Sequence, residues 1–141
     1  MKSDLDNKLI AVLRVRGRIG VRRTIKETLE RMNVPRVNSL ALLFGNESNM
    51  GMIKKCSDFV TYGAISEEML NKIMEKKGVK ISKEDISALM EGSKKPKDLV
   101  HLPIRLKPPR HGHRSIKRGF SSGGAMGYRG DAVNELLKRM V

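Results

Sequence analysis

Residues 102–130 constrain the fold of this chain more than any other part of its sequence. They read LPIRLKPPRHGHRSIKRGFSSGGAMGYRG, with seven Lys or Arg residues, three prolines, six glycines and no Asp or Glu. Because proline and glycine disfavour helices and central strands, most of this segment is not expected to form either. A cationic segment that packs poorly against itself needs an anionic partner to hold it in one shape. The sequence therefore predicts a small scaffold that carries a basic, irregular arm at about residues 103–130.

Positive charge is concentrated towards the two ends of the chain. The 141 residues include 29 Lys or Arg and 15 Asp or Glu, which gives a formal net charge of +14. Residues 1–50 contribute +5, residues 51–100 contribute +2 and residues 101–141 contribute +7. A charge of this size indicates the partner rather than the fold. Nucleic acid is the leading candidate, followed by an anionic membrane or an acidic protein.

Residues 1–64 show the patterns of three strands and two helices. We predict strands at residues 9–16, 40–44 and 59–62, and a helix at residues 22–33. Asn49 is the expected N-cap of a second helix. This order predicts an α+β fold with a β-α-β-α-β core, in which the helices pack on one face of a three-stranded sheet.

Residues 65–141 are expected to form a mostly helical extension of this core. Its predicted elements are two helices that begin after Ser66 and Ser82, a linker at residues 93–97, a short edge strand at 104–107, and a last helix at about 131–140 capped by Asp131. The last helix should anchor the far end of the basic arm. We therefore expect two parts, a core at 1–64 and an extension at 65–141.

Cysteine usage and hydropathy indicate the compartment. With one cysteine, Cys56, the chain cannot form a disulfide with itself, which fits a reducing environment. Its first residues do not resemble a secretory signal, and no stretch approaches the roughly 18–20 apolar residues of a membrane span. The sequence predicts a cytosolic protein.

A cluster of arginines at residues 14–23 is the first candidate binding surface. It contains Arg14, Arg16, Arg18, Arg22 and Arg23, across a strand end, a Gly-Arg-Ile-Gly turn and a helix start. The turn should bring these side chains together, where they can neutralise backbone phosphates. The alternative is a solvated basic surface, which is less favourable because five crowded like charges repel.

The basic arm is the stronger candidate for RNA binding, because arginine both pairs with phosphate and stacks on bases. The predicted RNA contacts of the arm are Arg105, Lys107, Arg110, His111, His113, Arg114, Lys117, Arg118, Tyr128 and Arg129. Two cations of the first half, Arg36 and Lys54, are predicted contacts as well. Tyr128 and Phe120 could stack on bases. The alternative is a tail that binds nothing specific.

Metal binding, cofactor binding and catalysis have little support in the sequence. His111 and His113 have no carboxylate or cysteine beside them in the arm, and the surrounding cations would repel a metal ion. The serines lack a paired base and acid, and no phosphate-binding glycine motif occurs. We therefore expect no metal, no cofactor and no enzymatic activity.

Several segments resemble a known family. LIAVLRVRGRIG, TIKETLERMNVPRVNSLALL and MGMIKKCSDFVTYG, within about residues 9–63, are similar to the large-subunit ribosomal protein thirty family. PIRLKPPRHGH and GGAMGYRGDAVNELLKRM resemble the carboxy-terminal extension of its archaeal members and of the eukaryotic counterpart, large-subunit protein seven. The long basic amino-terminal extension of the eukaryotic form is missing.

This resemblance implies a ferredoxin-like core with an antiparallel sheet. It also implies a structural constituent of the large ribosomal subunit that binds ribosomal RNA and neighbouring ribosomal proteins in the cytoplasm. No membrane or small-molecule substrate is implied. Two alternatives stay open: a free-standing RNA-binding regulator or chaperone, and an RNA-processing enzyme that uses His111 and His113.

Overall fold

The computed structural model describes residues 8–78, 80–93, 95 and 104–141. The strands in these residues are β1 (Leu9–Arg14), β2 (Ser39–Phe44), β3 (Val60–Ala64), β4 (Ile104–Arg105), β5 (Ser115–Gly119) and β6 (Gly124–Tyr128). The helices are α1 (Arg23–Arg31), α2 (Glu47–Lys55), α3 (Glu67–Lys76), α4 (Lys83–Glu91) and α5 (Ala132–Met140), and a 3-10 helix (Phe120–Ser122) joins β5 to β6. Most of the predicted linker, and the first residue of the predicted arm, lie outside the described residues.

All six described strands form one sheet in the order β4-β2-β1-β3-β6-β5. Its centre is antiparallel, because β1 pairs with both β2 and β3, and Val12 lies opposite Ala41 and Tyr62. β4 continues it beyond β2, and β6 pairs with β3 in parallel, with Thr61 opposite Gly127. The predicted β-α-β-α-β order of the first half is confirmed. The division at residue 64 stays a prediction, although strands from both sides of it share this sheet.

Helices cover both faces of the sheet: α1 and α2 lie together on one face, as predicted for the core, and α3, α4 and α5 of the extension cover the other. The prediction of a three-stranded sheet is wrong, because the sheet contains six described strands. β1 is buried along its whole length. Leu9 and Leu13 belong to a core cluster with residues of α3, α4 and α5, whereas Ile10 and Val12 belong to a second cluster with residues of α1 and α2. Apolar residues on both faces of a strand are typical of two-sided burial.

The prediction that the arm is irregular is also wrong for β5 and β6. β6 is an inner strand that lies between β3 and β5. Glycine allows this packing, because a Cβ atom at Gly124 would overlap the carbonyl of Arg118, and one at Gly63 would overlap the carbonyl of Gly130. Gly124, one of the glycines that argued against a strand, therefore lets β5 and β6 approach closely enough to pair.

Most helix ends agree with the sequence prediction. The Ser66 and Ser82 hydroxyls accept hydrogen bonds from the first turns of α3 and α4, at 3.3 and 3.2 Å. The N-cap of α2 is Asn46 and not Asn49, because the Asn46 side chain accepts the Asn49 N–H at 2.8 Å. Asp131 precedes α5 as predicted but makes no capping hydrogen bond with its side chain. No helix within the described ranges is long and apolar enough to cross a membrane.

Candidate nucleic-acid interface

A cleft of about 390 Å³, here called the β5 cleft, lies between β5, β6, the 3-10 helix and the end of α2. Its charged and aromatic lining residues are Arg16, Lys54, Asp58, Tyr62, Lys117, Arg118, Phe120 and Tyr128. Four cations and one carboxylate therefore surround three aromatic rings. Five of the lining residues, the four cations and Tyr128, are among the predicted RNA contacts. The fold brings them together from four separate segments of the chain.

Arg16 connects the first basic cluster to the cleft. Its Nε donates a hydrogen bond to the Ile116 carbonyl at 3.1 Å, and its guanidinium lies 5.9 Å from the centre of the Phe59 ring. Beyond it the turn at residues 17–20 is exposed, and so are Arg18 and Ile19. The turn that follows Arg16 is therefore open to solvent, and Arg18 provides an exposed cation two positions from Arg16 in the chain.

Arg14 was predicted to bind RNA, but the structure buries its side chain, which is 2% exposed. Its guanidinium donates four hydrogen bonds, to the carbonyl oxygens of Arg16, Gly17, Val34 and Pro35, at 3.0–3.2 Å. Burial, and then the charge of a nearby arginine, lower its pKa from the ordinary value. Because the guanidinium is enclosed and bonded, Arg14 supports the turn and is not available to a phosphate.

Arg129 is also held within the fold. Its Nε donates to the Thr61 hydroxyl at 2.9 Å, and its Nη2 donates to the Ala125 carbonyl at 3.0 Å. The guanidinium lies 5.0 Å from the centre of the Phe120 ring. Burial, and then Arg139 among its cationic neighbours, lower the pKa of Arg129. These contacts fasten β6 to β3 and support Phe120, which leaves little of the guanidinium for RNA.

Two tyrosines form one wall of the β5 cleft. The Tyr62 and Tyr128 ring centroids lie 5.7 Å apart and the ring planes are tilted by 51°. Burial raises the pKa of Tyr62, with a smaller contribution from Tyr128. Tyr62 is therefore neutral at physiological pH. The contact between the two rings fixes the Tyr128 ring where it borders the cleft.

A second cavity of about 670 Å³, here called the α5 cavity, lies between the segment at residues 111–114 and α5. Both ring nitrogens of His113 are buried there without a hydrogen-bond partner among the described residues. Burial, and then Arg129 and Arg139, lower the pKa of His113, so its imidazole is neutral at pH 7. His111 is exposed at the rim. In the described part of the chain, no group of three His, Cys, Asp or Glu residues could hold a metal ion.

α5 anchors the start of the arm through Arg139. The Arg139 Nη1 donates hydrogen bonds to the carbonyls of Arg110 and Gly112, at 3.1 and 3.2 Å. The backbone N–H of Arg110 donates to the Arg139 carbonyl at 3.3 Å. The side chains of Arg110 and Arg114 are exposed above this anchor. Sequence patterns did not identify Arg139 as a supporting residue, because its partners lie almost thirty positions away.

The other predicted contacts lie away from the β5 cleft. Arg22 and Arg23 are exposed at the start of α1, and Arg23 pairs with Glu27 at 3.1 Å. Arg36 is exposed before β2. The exposed Arg105 belongs to β4, at the sheet edge opposite β5, and the exposed Lys107 follows it. The predicted set therefore does not converge on one site.

The chain is similar to one family of known proteins over nearly its whole length. The family profile described as ribosomal protein L30p/L7e matches residues 10–60. The large ribosomal subunit protein uL30 of Methanococcus vannielii is 40% identical over 93% of this chain and 98% of its own length. The proteins of the same name from Thermoplasma acidophilum and Nanoarchaeum equitans are 35% and 38% identical, each over 94% of this chain and over 93% and 99% of their own lengths.

Proposed function

Because the chain belongs to the ribosomal protein L30p/L7e family, we propose that it is a structural constituent of the large ribosomal subunit. The observation that carries this proposal is the near full-length similarity to archaeal proteins named for that subunit. Family membership also agrees with the expectation that the chain is not an enzyme, since this family is structural. In this role the protein resides on the ribosome in the cytoplasm, in contact with ribosomal RNA and with neighbouring ribosomal proteins.

We further propose that the surface around the β5 cleft binds large-subunit ribosomal RNA. Lys54, Lys117 and Arg118 are exposed there, with Arg16 partly exposed beside them. Asp58 is the single acidic residue in the cleft lining. A group of cations with so little compensating charge attracts phosphate, and every phosphate that it neutralises releases counterions. The RNA backbone and shape, more than base edges, are read by such a surface.

The structure of the arm supports a specific mode of binding. β5 and β6 hold Lys117 and Arg118 on a sheet strand, and Arg139 fixes the backbone of the preceding segment. Less conformational entropy is lost when a pre-ordered segment binds than when a disordered tail folds onto its partner. The arm therefore acts as a rigid platform over residues 110–128, and not as a flexible thread.

Charge reversal tests this proposal. The cleft variant is Lys54→Glu, Lys117→Glu and Arg118→Glu in one chain, and the control variant is Lys72→Glu, Lys80→Glu and Lys83→Glu. All six lysines and arginines are exposed, and the control positions lie outside the β5 cleft. Both variants change the net charge equally, so a difference between them depends on position.

The variants are produced with a tag in cells and followed by sucrose-gradient sedimentation. The cleft variant should remain in the light fractions, whereas the control variant and the parent chain should sediment with large subunits. Circular dichroism checks that both variants are folded. Sedimentation of the cleft variant with large subunits at the parent level would contradict the proposed surface. Sedimentation of the parent chain with messenger or small RNA alone would favour the free-standing regulator instead.

The positions of His111 and His113 disfavour the RNA-processing alternative. The two histidines that it requires lie at the α5 cavity, where both ring nitrogens of His113 are buried and its imidazole is neutral at pH 7. An enzyme of this kind needs two imidazoles that exchange protons with substrate. The family also provides no enzymatic precedent.

A further inference from the structure

We infer that the β5 cleft receives a single unpaired nucleotide of the RNA, with its base against Phe120 and Tyr128 and its phosphate at Lys117 and Arg118. This inference rests on the proposed function and names the RNA feature that the surface recognises. It adds a base inside the cleft to the phosphate contacts that the proposed function assigns to the cations around it. The two can therefore fail separately.

The size of the β5 cleft favours one nucleotide. At about 390 Å³ it lies at the lower end of the range of small-molecule sites, roughly 300–1,000 Å³. A paired segment of RNA is too large to enter the cleft, and its bases are stacked and paired inside the double helix. A nucleotide turned out of a loop or bulge presents a free base and fits such a cavity. Proteins commonly recognise RNA through bases exposed in this way.

Phe120 provides a flat, supported surface for a base. Its partly buried ring borders both the β5 cleft and the α5 cavity, while Arg129 borders only the α5 cavity. The Arg129 guanidinium, 5.0 Å from the ring centre, therefore covers Phe120 from the side of the α5 cavity. The side towards the β5 cleft is left for a stacked base. Because the ring is already held by Arg129, stacking on it costs little side-chain entropy.

The charges around the cleft distinguish a nucleotide from other flat ligands. Lys54 reaches the cleft from the end of α2, while Lys117 and Arg118 border it from β5. A nucleotide joins a planar apolar base to an anionic phosphate, so it matches the rings and the cations together. An acidic peptide would satisfy the cations but would leave the aromatic wall without a planar partner. The combination therefore favours RNA over a protein segment.

The test compares two fluorescein-labelled RNA hairpins that differ by one unpaired adenosine in the stem. Binding is measured by fluorescence anisotropy at fixed salt. A base stacked on an aromatic side chain contributes a factor of roughly 5- to 150-fold to affinity. The parent chain should therefore bind the bulged hairpin at least about 5-fold more tightly than the fully paired hairpin. Equal affinities would overturn the inference.

Two tryptophan variants provide matched evidence. Ser121 and Ser122 are adjacent, exposed residues of the 3-10 helix, but only Ser121 lines the β5 cleft. Ser121→Trp should fill the cleft and reduce the preference for the bulged hairpin to about one. Ser122→Trp should keep the preference of the parent chain, although it adds the same aromatic surface. Loss of the preference in both variants, or in neither, would overturn the inference.

A second arm of the experiment separates a nucleotide within RNA from a free one. Adenosine monophosphate is added as a competitor to the bulged hairpin. Because the hairpin offers several phosphates to the exposed cations and the free nucleotide offers one, the hairpin should bind much more tightly than the free nucleotide. Competition by the monophosphate at concentrations similar to those of the hairpin would overturn the inference. Absence of binding to either hairpin would instead count against the proposed function itself.

Discussion

Replacing Arg14 tests whether an arginine of the first basic cluster supports the fold or binds RNA. The substitution Arg14→Met keeps most of the side-chain volume and removes the guanidinium. Four hydrogen bonds are lost, of which the bond to the Val34 carbonyl is fully buried and the other three are partly buried. The turn at residues 17–20 and the loop after α1 lose their common link.

The expected cost follows from these bonds. A hydrogen bond to a charged donor contributes about 1.5–3 kcal/mol, and a buried carbonyl left without a donor is penalised further. Three of the four carbonyls are near enough to the surface for water to replace the lost donor. We therefore expect the free energy of unfolding to fall by about 3–5 kcal/mol, below the plain sum over four bonds.

Urea unfolding followed by circular dichroism measures this loss, and fluorescence anisotropy with a paired RNA hairpin measures affinity under conditions where the variant is folded. Arg18→Met is the matched control, since Arg18 is exposed. The control should change stability by less than about 0.5 kcal/mol and should weaken RNA binding. Arg14→Met should lower the free energy of unfolding by about 3–5 kcal/mol and should leave RNA binding unchanged. A stability change below about 0.5 kcal/mol for Arg14→Met, with weaker RNA binding, would refute the role assigned here.

Two further predictions concern the core and the α5 cavity. Leu29→Ala should lower the free energy of unfolding by about 2–5 kcal/mol, because Leu29 is fully buried between α1 and the sheet; a loss below half a kilocalorie in urea unfolding would contradict this packing. The pKa of His113 is lower in the folded chain than in the unfolded chain, so just below about pH 6.5 the unfolded chain binds more protons. The free energy of unfolding should therefore fall as the pH falls through that value. Urea unfolding at about pH 7.5 and about pH 5.5 should show a larger loss for the parent chain than for His113→Gln, and an equal loss would contradict burial of a neutral imidazole.

Local patterns were sufficient for several elements of the fold. The strand at residues 9–14 and the caps at Ser66 and Ser82 depend on near neighbours in the chain, and the structure confirms them. The pairing of Thr61 with Gly127 joins positions 66 residues apart, and the sequence around either residue does not predict it. Glycine also misled the prediction, because at Gly124 it permits a close strand contact that a larger residue would prevent.

The binding surface was predictable only in part, since charge patterns do not reveal burial. Arg14 and Arg16 are two positions apart and look alike in the sequence, yet Arg14 is enclosed by carbonyls of Val34 and Pro35. Val34 and Pro35 follow α1 in the chain, and the fold brings them beside Arg14 although α1 separates them in sequence. Lys117 is exposed, as an RNA contact requires, and the arm offers it no acidic partner in sequence, so its role in RNA binding stays a prediction.

The salt dependence of RNA affinity tests the central claim most directly. Each phosphate contact contributes about 0.7–0.9 to the slope of log affinity against log salt concentration. The variant with Lys54→Gln, Lys117→Gln and Arg118→Gln should therefore bind RNA with a slope shallower by roughly two to three units than that of the parent chain. The matched variant with Lys72→Gln, Lys80→Gln and Lys83→Gln should keep the parent slope. Equal slopes for all three proteins would contradict the claim that the β5 cleft surface neutralises the RNA backbone.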